Sequence, residues 1–208
     1  MVISVAMDSR EGDPREWIEK ANPTYVTLID RFHRVAGLYH MVNVPQAVWI
    51  DEGGRIVRPT ESAGAYEGFR KMDRTTLQVP EEVAKITADS KETYMNAVRD
   101  WVLHGESSQY AFDDAQRRAH LGLPTEEIAA AHVAFTLGQY LIQTGKAEDG
   151  GRLVQEAVRL HPQSWTFWRQ QAGLSDRKLA SQPDFWQRVD ALGDKKYYAA
   201  VDMKGMPQ

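Results

Sequence analysis

The segment from Val42 to Arg58 constrains this chain more than any other. It sets an X-Pro step, Val44–Pro45, directly before an apolar run, Ala47–Asp51. A Glu52-Gly53-Gly54 turn and a second run, Arg55–Arg58, follow. Proline fixes φ and lacks an amide proton, so in a sheet it heads a strand or sits at an edge. Two glycines between apolar runs supply the positive φ values that a tight hairpin needs. The segment therefore predicts a strand that begins at a proline, turns sharply and returns beside itself.

Upstream, Val2–Met7 is a short β-branched, apolar run and predicts a buried strand. Asp8–Pro14 reads as a loop, with Asp13 as an N-cap and Pro14 at the first helical position. Arg15–Ala21 is then a helix with Trp17 and Ile18 inward, stopped by Asn22-Pro23. Tyr25–Ile29 predicts a second strand. Asp30 caps a helix over Arg31–Tyr39 whose Phe32, Val35, Ala36 and Tyr39 share a face. The order through Arg58 is β-α-β-α-β-β.

Beyond Arg58 the alternation breaks, and helices dominate. Tyr66–Met72 reads as a short helix. A long one begins at Val79-Pro80 and runs to His104, with Val83, Ile86, Tyr94, Val98 and Trp101 inward. Ala111–Leu121 is a short polar helix. Thr125 caps a helix in which Ile128, Ala131, Phe135, Gly138, Leu141 and Ile142 fall at helical spacing. Gly145 breaks it, and Glu148–Leu160 returns with Leu153, Val154, Ala157 and Val158 inward. Trp165–Leu174 and Asp184–Leu192 are further helices. Lys195–Gln208 is an irregular tail that docks through Tyr197, Tyr198 and Met203.

Several function classes are excluded or disfavoured. With 208 residues, the chain holds one sizeable domain or two small ones. A net charge of −4 argues against a broad nucleic-acid surface. No stretch is long and apolar enough for a membrane span. The apolar start lacks the basic residues of a signal peptide, and a cytoplasmic location is expected. There is no cysteine, which removes disulfides, thiol catalysis and thiolate metal sites from this polypeptide.

Four consecutive features carry a resemblance: Val2–Asp8, Thr27–Asp30, Val42–Pro45 and Trp49–Val57. Together they resemble the thioredoxin-like redoxins, of the TlpA/ResA and AhpC/TSA-related kind. The resemblance implies a cis bond at Val44–Pro45, and a backbone at Val44 that offers hydrogen bonds to an extended substrate segment. Taken alone, the residues favour Pro45 heading a strand in trans, since a cis X-Pro bond is rare. The family also implies thiol-disulfide oxidoreduction or peroxide handling, through a Cys motif on a helix that follows an earlier strand. Neither lies within this chain, so no catalytic residue is assigned. A fragment, an alternative start and a decayed member all stay open. The sheet is expected to lack one strand, and to expose an edge or an apolar patch that a second copy or the helical part covers.

Ala134, Leu137, Gly138 and Leu141, followed by Gly150, Val154, Ala157 and Pro162, match the spacing of a tetratricopeptide repeat. Gly138 and Ala157 would let two helices approach, with Leu137, Leu141 and Val154 filling the contact. Trp168 lies one period after Ala134, which allows a partial second repeat. A helical cap on the sheet is expected ahead of a peptide-binding groove, because so few repeats make little groove. His33 and His40 read as a surface pair, and no histidine spacing fits a metal. Trp165, Trp168 and Trp186 read as packing aromatics.

The expected architecture is α/β: an incomplete thioredoxin-like unit over 1–74, connecting helices over 75–124, and a tetratricopeptide-like all-helical domain with a tail over 125–208. The expected function is that of a redoxin-family protein inert in thiol exchange by itself, whose substrate side is Val44 and Pro45. The alternative is a non-catalytic interaction module that uses the helices or the strand edge near Pro45. No cofactor or metal is assigned. A protein or peptide partner and a homo-oligomer fit this reading; nucleic acid and a membrane span do not.

Overall fold

The computed structural model describes residues 1–7, 10, 14–176, 180 and 182–207. The N-cap expected at Asp13 lies outside them. The chain is mixed α/β, and its first elements follow the expected order: β1 (Ile3–Ala6), α1 (Arg15–Ala21), β2 (Val26–Ile29), α2 (Arg34–Leu38), β3 (Gln46–Ile50) and β4 (Ile56–Ser62). The strands pair as two two-stranded sheets. β1 and β2 are parallel across the α1 crossover, and β3 and β4 form an antiparallel hairpin. Then come α3 (Glu81–His104), α4 (Asp114–His120), α5 (Glu126–Gln143), α6 (Ala147–Leu160), α7 (Trp165–Arg169) and α8 (Pro183–Asp190).

Packing groups these elements into two compact units that interleave along the chain. One contains residues 1–42 and 124–186, the other 43–123 and 187–208. A change of unit at 123–124 falls at the expected boundary at 124, but none falls at 74, and the residues before 74 divide between the units at 42–43. The reason is that the first strands share a unit with α5 and α6, while the hairpin shares one with α3 and the tail.

In the first unit, Ser4 Oγ donates to Thr27 Oγ1 at 3.0 Å across the parallel pair. Ile3, Val26 and Leu28 on the pair are 50, 46 and 50% exposed. Parallel strands are ordinarily covered on both faces, so this pair is unusually open. The carboxylate of Asp30 receives the amides of Arg34 and Val35 at 2.8 Å each, and that of Ala36 at 3.2 Å. Asp30 thus supplies the expected cap, but α2 starts at Arg34, because His33 sits at positive φ. That shift reverses two assignments: Phe32, expected inward, is 52% exposed, and His33, expected at the surface, is buried against Phe135, their ring centroids 5.3 Å apart. Trp17, expected inward, is also half exposed.

The apolar centre of this unit is Ala131, Phe135, Val154, Ala157 and Phe167, with Phe135 and Phe167 stacked at 4.2 Å. Thr125 Oγ1 accepts the Ile128 amide at 3.2 Å, as its capping position predicts. A short link at Thr144–Lys146 folds α6 back on α5, and Gly138 meets Gly150 at the contact. Leu137, expected to fill that contact, instead lies on the outer face of α5, 47% exposed. The two glycines bring the backbones too close for a leucine between them. Trp165 and Trp168 are buried, as expected of packing aromatics. α7 spans only five residues, where a helix reaching Leu174 is expected.

In the second unit, Trp49, Val57, Tyr94, Ala97, Val201, Met203 and Met206 form one cluster. Ser90, Tyr94 and Ala97 line the inner face of α3 at helical spacing; Ile86, expected there too, is 37% exposed. The tail docks, as expected, with Tyr197 and Met203 buried. β4 runs four residues further than predicted. Ala47 pairs with Glu61 and Trp49 with Arg58, so β4 carries an extra residue in this stretch, at Pro59-Thr60. Proline cannot donate to a ladder, and a bulge accommodates it.

Candidate functional site

Val44 and Pro45 precede β3 in the second unit. Both are exposed, Val44 by 40%, and the bond between them is cis. Asn43, buried to 3% exposure, organises this corner. Its Nδ2 donates to the Tyr197 carbonyl at 3.1 Å, and its Oδ1 accepts the Val44 amide at 2.9 Å. The Asn43 amide donates to Gln46 Oε1 at 3.1 Å, and the Tyr198 hydroxyl donates to the Val44 carbonyl at 3.1 Å. Both backbone groups of Val44 therefore have partners within the unit. The carbonyl keeps a second lone pair that can accept another donor.

The tail reaches this corner through a second set of contacts. The Tyr197 amide donates to Glu67 Oε2 at 2.8 Å, and the Tyr197 ring meets Phe69 edge-on at 4.8 Å and Tyr198 at 4.7 Å. Beside it, Tyr66, Glu67, Lys196, Tyr198 and Met206 line a shallow pocket. Asn43, Gln46 and Tyr198 are the residues that sequence reasoning did not assign to this corner. An asparagine ahead of an X-Pro step is a signal for such a side-chain turn; the tail's arrival carries no local signal.

Underneath lies a buried polar network. Arg58 is 1% exposed. Its Nε and Nη2 donate to the Glu61 carboxylate at 2.9 and 2.7 Å, Nη1 to the Tyr110 carbonyl at 2.9 Å and Nη2 to the Asp202 carbonyl at 2.8 Å. The guanidinium lies 3.8 Å over the Phe112 ring. Tyr94 donates to Glu61 at 2.9 Å and accepts from the Trp49 indole at 2.8 Å. Burial, and then the Glu61 charge, push the Tyr94 phenol well above its usual range, so it stays a donor.

The histidines fall in the first unit in a way their spacing does not reveal. His132 on α5 lies between His40 and His161, with ring centroids 5.9 and 6.4 Å apart. His33, expected at the surface, and His161 are both buried. No group of three or more metal-ligating side chains is placed to hold an ion among the described residues. Burial, and then neighbouring imidazoles, hold His132 and His161 below the ordinary imidazole range. A lowered folded-state value means that the unfolded chain takes up protons first. Their contribution is therefore intact above the unfolded value, about 6.5, and is lost as pH falls from there through the folded values. Thermal midpoints measured from pH 8 to pH 5 should fall over that window, and His132→Gln with His161→Gln should flatten the fall. An unchanged slope would place the effect elsewhere.

Comparison with family models, with curated proteins and with solved structures finds no match. Among the described residues, no helix is long and apolar enough to cross a membrane.

Proposed function

We propose that this chain is a redoxin-related module that binds an extended protein segment beside Val44 and Pro45 and does not itself perform thiol exchange. The observation that carries this reading is the order and sense of its strands. A parallel pair joined across a helix is followed by an antiparallel hairpin with the Val44–Pro45 step at its head. Two separate pairs are what a thioredoxin-like sheet leaves when one strand is absent, and the open apolar positions Ile3, Val26 and Leu28 fit the same reading. Thiol–disulfide exchange needs a thiolate nucleophile, and this sequence has no cysteine.

In this reading the incoming segment donates to the free lone pair of the Val44 carbonyl and lies along the edge of β3 that pairs with no described strand, in the manner of strand addition. Tyr198 holds that carbonyl in place, and Asn43 turns the Val44 amide inward. Binding is therefore expected to use the carbonyl and the flanking side chains, with less from the amide. Amide-shift mapping with a reduced, unfolded peptide should move resonances of residues 43–48 and 198. Tyr198→Phe should weaken the response several-fold. Shifts confined to other surfaces would refute the site. An insulin-reduction assay should show no turnover above the dithiothreitol background.

A further inference from the structure

Sequence and exposure disagree on α5. From Ile128 to Gly145 there is no Asp, Glu, Lys or Arg. One side of the helix packs on α6 through Ala131, Phe135 and Gly138. The opposite side carries Ala130, Val133, Leu137 and Tyr140, spaced three, four and three residues apart and therefore on one face. Val133 is 68% exposed, Leu137 47% and Tyr140 62%. A charge-free stripe of this kind along a helix about 27 Å long is unfavourable to leave in water, and contiguous apolar patches mark contact sites.

The stripe is its own complement. Set antiparallel about the midpoint between Val133 and Leu137, two copies oppose Val133 to Leu137 and Ala130 to Tyr140. The methyl of Ala130 leaves room for the phenol ring. The same register brings the acidic start of the helix, Glu126 and Glu127, to the end where Lys146 follows, the nearby Glu148 and Asp149 being paired with Arg152, and it opposes the two helix dipoles. A parallel register does the reverse: it stacks Tyr140 on Tyr140 and sets the acidic starts together. We propose that this face docks a second copy of the chain, in an isologous two-fold dimer seamed by antiparallel α5 helices. This is independent of the Val44–Pro45 site, which lies in the other unit.

The test uses the full chain. Sedimentation equilibrium from micromolar to sub-millimolar concentration should show a dimer. Val133→Glu, at an exposed position, should weaken association on the order of 100-fold while leaving the circular dichroism spectrum unchanged, and the melting temperature equal to that of the wild type at concentrations where both are monomeric. Because the chain has no cysteine, Val133→Cys and Leu137→Cys chains serve as clean reporters. Mixed and oxidised, they should give chiefly the mixed disulfide, since these positions face each other across the seam. A wild-type monomer at every concentration, a Val133→Glu dimer as tight as wild type, or a predominance of Val133→Cys homodisulfide would each overturn the proposal.

Discussion

Arg58→Ala should lower the stability of the second unit by about 3–5 kcal/mol, the cost of leaving a buried charge without its partner. The Glu61 carboxylate loses its bidentate donor, and the carbonyls of Tyr110 and Asp202 lose theirs. The Trp49 and Phe112 rings also lose the cation that lies over them. The pair exists because of the bulge in β4. Residues three apart in a regular strand point to opposite faces; the extra residue in this stretch turns Arg58 and Glu61 to the same side. Glu61→Gln should cost a comparable amount, because it leaves the buried guanidinium without a counter-charge and turns an amide NH2 toward Nη2, although one oxygen still accepts from Nε and from Tyr94. Thermal and guanidinium unfolding of the three chains checks both losses. A loss under about 1 kcal/mol for Arg58→Ala, the range of an exposed ion pair, would show that the network is solvated.

Gly150→Ala and Gly151→Ala should move stability in opposite directions. A Cβ at Gly150 would lie 2.5 Å from the Gly138 carbonyl oxygen and 2.8 Å from the Ile142 amide nitrogen. Backbone cannot swing aside as a side chain can, so α5 and α6 must separate, at an overpacking cost of about 1–3 kcal/mol. That outweighs the gain of up to about 1 kcal/mol from replacing a helical glycine. At the next position nothing lies within 4 Å, so Gly151→Ala keeps the propensity gain without the clash. Melting temperatures of the two single variants decide the matter; a stabilised Gly150→Ala would mean that the helices are not in close contact.

Local chemistry was legible where one residue settles a conformation. Thr125 and Asp30 announce their caps, Arg15–Ala21 is bounded by its prolines, and the hairpin follows from Glu52-Gly53-Gly54, with Asp51 accepting the Gly53 and Arg55 amides. What the sequence hides is long-range. The bulge at Pro59-Thr60 ends the alternation early, so neither the length of β4 nor the Arg58–Glu61 pair can be read from periodicity. Gly138 reads as a close approach, but its partner, Gly150, is set by the geometry of the turn at Thr144–Lys146. At the candidate site, Val44 and Pro45 stand out by themselves, whereas Asn43 and Tyr198 matter only because the tail arrives 154 residues later.

The interleaving of the two units bears on how the chain can be made. Residues 43–123 emerge from the ribosome before the first unit has received α5 and α6, and the second unit cannot close its core until Val201, Met203 and Met206 appear. The first unit is therefore complete only once Trp186 has been added, and the second only once Met206 has. Both must hold unfinished cores in the nascent chain, and any piece cut at residue 74 or 124 separates partners that each unit needs.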